Sequence, residues 1–101
     1  MLRKIQDSVR EDKYRFTVYA LERLIERDIN PNQVQEAILF GKIIEDYPED
    51  KYGHSCLVCG WCSQNTILHV QCSVDPVWII TAYDPTLNPE KWNHSYTKRI
   101  K

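Results

Sequence analysis

Apolar positions recur at helical spacing through roughly the first forty residues and at strand spacing after them. Leu2, Ile5 and Val9 fall on one helical face, which predicts an amphipathic helix over residues 2–13. Arg15-Phe16-Thr17 reads as a break or a very short strand, with Thr17 able to cap the helix that follows. In that second helix Val18, Leu21, Leu24 and Ile25 form one apolar stripe that ends near Asp28. Asn30-Pro31-Asn32-Gln33 is a helix start: Asn30 caps, Pro31 suits the first helical position and Gln33 reaches back as in a capping box. Val34, Ala37, Ile38 and Gly41 then share a face, and Gly41 reads as a C-terminal stop.

After Gly41 the period changes. Residues 43–47 predict a strand closed by Pro48, and residues 56–61 a second one. Ser63-Gln64-Asn65 is turn-like, Thr66 to Val74 a third strand, Asp75-Pro76 a turn and Val77 to Tyr83 a fourth strand. Asp84 to Pro89 reads as a loop, with Pro89 opening a last helix that contains Trp92, Tyr96 and Arg99. Consecutive strands with short connections imply an antiparallel meander. The expected architecture is a single α+β domain, its N-terminal helices packed on one face of a mostly antiparallel four-stranded sheet, followed by a C-terminal helix. The opposite sheet face must be solvated or must hold something.

Composition supports a globular chain. Of 101 residues, 43% are hydrophobic and 27% charged, ordinary for a folded domain. The chain has no run near the roughly 18 apolar residues of a membrane span, and the N-terminus lacks the apolar core of a signal peptide. These features lead to the expectation of a cytoplasmic protein whose four cysteines are thiols or metal ligands before they are disulfides. The net charge of −1 hides an asymmetry: residues 28–90 carry nine acids against Lys42 and Lys51, whereas residues 91–101 carry Lys91, Lys98, Arg99 and Lys101 and no acid. A basic terminus is either a nucleic-acid footprint or a solubilising solvated face.

The third strand separates two faces, because strand side chains alternate. Leu68, Val70, Cys72 and Val74 point to the core; Ile67, His69, Gln71 and Ser73 point the other way. A neighbouring antiparallel strand can bring Thr81 and Tyr83 beside His69 and Gln71. Such a cluster offers a proton-transfer group near neutral pH and groups that orient it. His54 lies in a loop before the second strand, where a histidine is either catalytic or simply exposed. Arg23 and Arg27, four apart, make a basic ridge beside the acidic ridge of Glu22 and Glu26, which reads as a salt-bridged helix face or as a phosphate- or partner-binding one. Cys59 and Cys62 flank Gly60-Trp61 and can converge on zinc or resemble a redox dithiol, but Cys56 and Cys59 lie three apart on a strand and face opposite sides. That spoils a four-ligand site, so no metal is assigned. Paired catalytic carboxylates, a glycine-rich phosphate loop and a serine nucleophile elbow are missing, and no cofactor is expected.

Several stretches together resemble a bacterial family, the domain of unknown function numbered 4258. They are Arg15-Phe-Thr-Val-Tyr-Ala-Leu-Glu-Arg-Leu-Ile-Glu-Arg-Asp-Ile29, Val34-Gln-Glu-Ala-Ile38, Gly41-Lys-Ile-Ile-Glu-Asp-Tyr-Pro48, Ser55-Cys-Leu-Val58, Leu68-His-Val70 and Trp78-Ile-Ile-Thr-Ala-Tyr-Asp-Pro85, with Trp92. The resemblance covers about residues 14–99, and departs from the family pattern at Tyr19, where a histidine is usual. It implies a RelE-like fold and, by analogy with the RelE, MqsR and BrnT toxins, one half of a toxin–antitoxin pair: a metal-independent RNA endonuclease held by a cognate antitoxin, often a zinc-finger protein encoded nearby. In such chemistry His69 would move the proton, Arg99 or Lys98 would offset phosphorane charge, Tyr83 would donate to phosphate or stack on a base, and Gln71 would orient. Arg23, Arg27 and His54 would contact substrate. The competing expectations are a non-catalytic protein- or nucleic-acid-interaction module of the same fold and a zinc-stabilised domain.

Overall fold

Side-chain caps set the starts of two of the three helices. A computed structural model describes all 101 residues. α1 spans Leu2–Arg10, α2 Val18–Glu26 and α3 Pro31–Leu39. Thr17 Oγ1 accepts from Ala20 N at 2.9 Å to start α2, and Asn30 and Gln33 form the reciprocal capping box that starts α3. α1 stops short of residue 13 and α2 short of Asp28; Asp12 and Asp28, both at positive φ, turn the chain out of each helix.

The strands are β1 (Tyr14–Phe16), β2 (Lys42–Tyr47), β3 (Ser55–Cys62), β4 (Thr66–Ser73) and β5 (Val77–Tyr83). They form one sheet in the order β1-β5-β4-β3-β2, antiparallel except where β1 runs parallel to β5. The sheet therefore has five strands, not four: residues 14–16 complete it, since the short segment after α1 finds the free edge of β5. No helix is long and apolar enough to cross a membrane.

The three helices stand on one face, with α3 over β3 and β4, α2 over β5, and α1 against α3. The core between the layers is Ile5, Val9, Ala20, Leu24, Val34, Ala37, Ile38 and the inward residues of the strands, among them Val58, Leu68, Val70 and Ile79. Of the expected α2 stripe only Leu24 is buried; Val18, Leu21 and Ile25 are exposed, and Ala20, outside that stripe, is buried instead. Close helix–sheet contact depends on two glycines. A Cβ on Gly60 would lie 1.9 Å from the Ala37 carbonyl oxygen, and one on Gly41 2.2 Å from the same atom. Gly41 thus serves by its lack of bulk and not as a left-handed helix stop; Phe40 caps α3 with φ −111°.

No helix follows β5. Two short 3₁₀ turns, Pro85–Leu87 and Pro89–Lys91, lead into a tight reversal in which Trp92 and Arg99 pair as an antiparallel bridge. Asn93 causes the reversal: its Oδ1 accepts from the Thr97 and Lys98 amides at 2.8 and 3.2 Å, and Tyr96 adopts φ 60°. Side-chain to backbone bonds of this kind compete with a helix. The tail lies across the sheet face that the helices leave free. That face is consequently not open around His69.

Candidate functional site

His69 sits mid-strand in β4 and points away from the helices. It has no exposed surface. Trp92 of the tail presents its ring edge-on at 4.3 Å between centroids, and Tyr83 of β5, its register partner, does so at 5.3 Å. His69 Nε2 lies 2.6 Å from the Tyr96 carbonyl oxygen and Nδ1 3.2 Å from the Tyr83 hydroxyl. A carbonyl only accepts, so the hydrogen-bond network assigns the proton to Nε2 and leaves Nδ1 to accept from Tyr83. Burial lowers the imidazole pKa below its ordinary value, against the opposing pull of the Tyr96 carbonyl and Glu45. The ring is therefore neutral near pH 7. Burial also pushes the Tyr83 phenol up, so it keeps its proton.

Arg99 closes the cluster. Its Nε and Nη2 donate to the two Glu45 carboxylate oxygens at 3.1 Å each, and its guanidinium lies over the Trp92 ring at 4.5 Å. This is a bidentate, charge-assisted pair. Burial alone would raise the Glu45 pKa, but Arg99 and the Tyr47 hydroxyl bonded to it win, and the carboxylate sits below its usual range.

Beside this cluster opens a cleft of about 360 Å³ whose lining includes Arg27, Tyr83, Asp84, Lys91, Trp92 and Arg99. Arg27 is fixed by its Nη1, which donates to the Ala82 carbonyl at 2.9 Å and to Thr81 Oγ1 at 3.2 Å. Cations from the cap of α2, the turn after β5 and the end of the tail thus converge on one hollow with two aromatic walls. Chemically the hollow can hold a phosphate between cations and an aromatic base against Tyr83.

Of the residues singled out from sequence, the structure brings His69, Tyr83, Arg99 and Arg27 together. Gln71 lies apart: its Nε2 donates to Asp50 Oδ2 at 3.1 Å, which also accepts from the buried Ser55 hydroxyl at 2.7 Å. His54 Nε2 pairs with Asp46 at 2.5 Å near the far end of β2. Arg23 pairs with Glu26 at 2.5 Å and lies 4.8 Å over the Tyr19 ring, away from the cleft. Lys98 belongs to the tail reversal and does not line the cleft. Glu45, Trp92 and Lys91 are the site residues that the sequence pattern did not assign.

The cysteines spread over both faces. Cys56 and Cys72 are register partners in the core, and Cys62 also packs on the core side. Cys59 pairs in register with His69 on the opposite face, so Cys59 and Cys62 do not converge.

No curated protein and no solved structure matches the chain. A family model does match, over residues 16–84. That segment supplies α2, α3, β2 to β5 and the cleft residues Arg27, Tyr83 and Asp84, while Lys91, Trp92 and Arg99 come after it. On that match the chain belongs to the family described as Domain of unknown function (DUF4258).

Proposed function

We propose that the chain is a cytoplasmic, toxin-type RNA endonuclease that works without a metal ion, and that the Arg27–Tyr83–Lys91–Arg99 cleft is where it engages the phosphodiester. One observation carries the reading: in a chain whose middle stretch is strongly acidic, three cations from separate segments line one cleft walled by Tyr83 and Trp92. RNA cleavage without a metal uses the neighbouring 2′-hydroxyl as nucleophile. Its proton passes to the Tyr83 oxygen as the Tyr83 proton passes to His69 Nδ1, which is unprotonated and accepting. The 2′-oxygen bonds to phosphorus, and the 5′-oxygen leaves with a proton from water. A 2′,3′-cyclic phosphate and a 5′-hydroxyl result. Arg27, Lys91 and Arg99 offset the charge that builds on the phosphoryl oxygens. The imidazolium formed on His69 keeps its hydrogen bond to the Tyr96 carbonyl. In this reading a cognate antitoxin, for which a zinc-finger protein is the candidate, holds the activity in check.

A second reading, a non-catalytic interaction module, is favoured by the complete burial of His69. One experiment separates them. Single-stranded RNA is incubated in EDTA with the parent, Tyr83→Phe and Arg27→Ala proteins, then run on a denaturing gel beside a binding assay. Discrete cleavage by the parent that Tyr83→Phe abolishes supports the nuclease. Binding by the parent without cleavage supports the module. Neither binding nor cleavage overturns the nuclease and the RNA-binding form of the module, and leaves a protein-binding module.

A further inference from the structure

A second groove lies at the other end of β5. It measures about 350 Å³ and is lined by Thr17, Tyr52, Ser73, Pro76 and Trp78. Trp78 is 37% exposed and Tyr52 42% exposed. Both rings keep part of their surface open to solvent on one groove, where a ligand can reach them. Each has a cation beside it. Arg15 of β1 is the register partner of Trp78, and Lys51 Nζ lies 5.2 Å from the centre of the Tyr52 ring. Neither Arg15 nor Lys51 forms a salt bridge, whereas Lys4, Arg10, Lys13, Arg23 and Arg99 do. Asp12 is the one acid on the neighbouring groove that Trp78 shares with Arg15.

We infer that the Trp78–Tyr52 groove is a binding site for one nucleobase of a single-stranded RNA, with Arg15 and Lys51 taking the flanking phosphates. Aromatic faces with cations between them are the recurring solution for single strands, because every base offers a π-face and every link a charge. An uncharged proline-rich peptide would also suit the rings, but it would leave the two free cations unused. The groove takes the same strand as the cationic cleft: Tyr83 and Trp78 stand five positions apart on β5, about 16 Å at strand rise. The inference therefore rests on the RNA reading given above and extends it to a second contact.

The test is fluorescence anisotropy with labelled 2′-O-methyl hexauridylate, which lacks the free 2′-hydroxyl and cannot be cut by the proposed route. Trp78→Ala and Tyr52→Ala each weaken binding about 5- to 150-fold, the usual range for removing one stacking platform. Trp78→Phe retains most of the affinity, and all variants keep the parent's far-ultraviolet circular dichroism. Unchanged affinity in both alanine variants, with Lys91→Ala impaired, overturns this site and leaves the cationic cleft standing. No binding by the parent overturns both. Binding of decaproline by the parent that Trp78→Ala abolishes, with hexauridylate binding unaffected, overturns the nucleobase assignment in favour of a peptide groove.

Discussion

Glu45 on β2 holds Arg99, in the tail after β5, through two parallel hydrogen bonds of 3.1 Å. The pair fastens the tail across a sheet face that the helices leave free, and with it the Trp92 ring that covers His69.

Removing the carboxylate charge should loosen the tail more than the domain. Arg99 is 43% and Glu45 22% exposed in the pair, so the bond contributes on the order of 1 kcal/mol. In Glu45→Gln the amides of Asn93 and Ile100, bonded within the tail, should exchange faster with deuterium, while the core strands keep their protection. The melting temperature should fall by only a few degrees.

His69 makes stability depend on pH. Its folded pKa lies below the unfolded value of about 6.5. Between those two values the unfolded chain binds a proton that the native ring refuses, so stability rises with pH across that window and is lost as pH falls below about 6.5. The slope from this one group is at most about 1.4 kcal/mol per pH unit. Glu45, Arg99, Tyr83 and Asp84 surround the ring, and Glu45 adds its own loss at lower pH, below the ordinary glutamate range near 4.3, because its folded pKa is depressed. Urea titrations at pH 5.5 and 7.5 should show a smaller difference for His69→Asn than for the parent.

Gly60→Ala should be severely destabilising. The added methyl would lie 1.9 Å from the Ala37 carbonyl oxygen and 2.7 Å from its carbon, both backbone atoms of α3. Helix and sheet would have to separate, at about 3 kcal/mol, the upper part of the usual overpacking range. A shifted urea midpoint with an unchanged slope would report it.

Lys91 should act on RNA through charge alone. Lys91→Ala should weaken binding about equally for all sequences and reduce the dependence of log K on log salt by roughly 0.7, the value for one phosphate contact to a single strand. A variant that changed sequence preference would point instead to a base contact.

Much of the architecture was legible because its signals are local. The Asn30–Gln33 box and the Thr17 cap need only a few neighbouring residues, and the outward face of β4 follows from alternation. Glu45 was hidden for a definite reason. Strict alternation puts it on the same side as Ile43, but a bulge at Ile44 lets Ile43 meet Val58 on the core side and Glu45 pair with Leu57 on the other. The tail has the spacing of a helix but forms none, because its form is decided from a distance: Glu45 holds Arg99, and His69 takes the Tyr96 carbonyl that a helix would use within itself. The same packing of the tail buries His69 on a face that alternation alone leaves open.

The cleft is built from two sources that can diverge separately. The segment carrying the family signature ends at residue 84, and it brings Arg27 and Tyr83; the seventeen residues beyond it bring Lys91, Trp92 and Arg99. Substitution or exchange of that short tail would re-face one wall of the hollow while the helices, the sheet and their core stayed as they are. A common ancestry in the sheet is therefore compatible with different ligands among descendants.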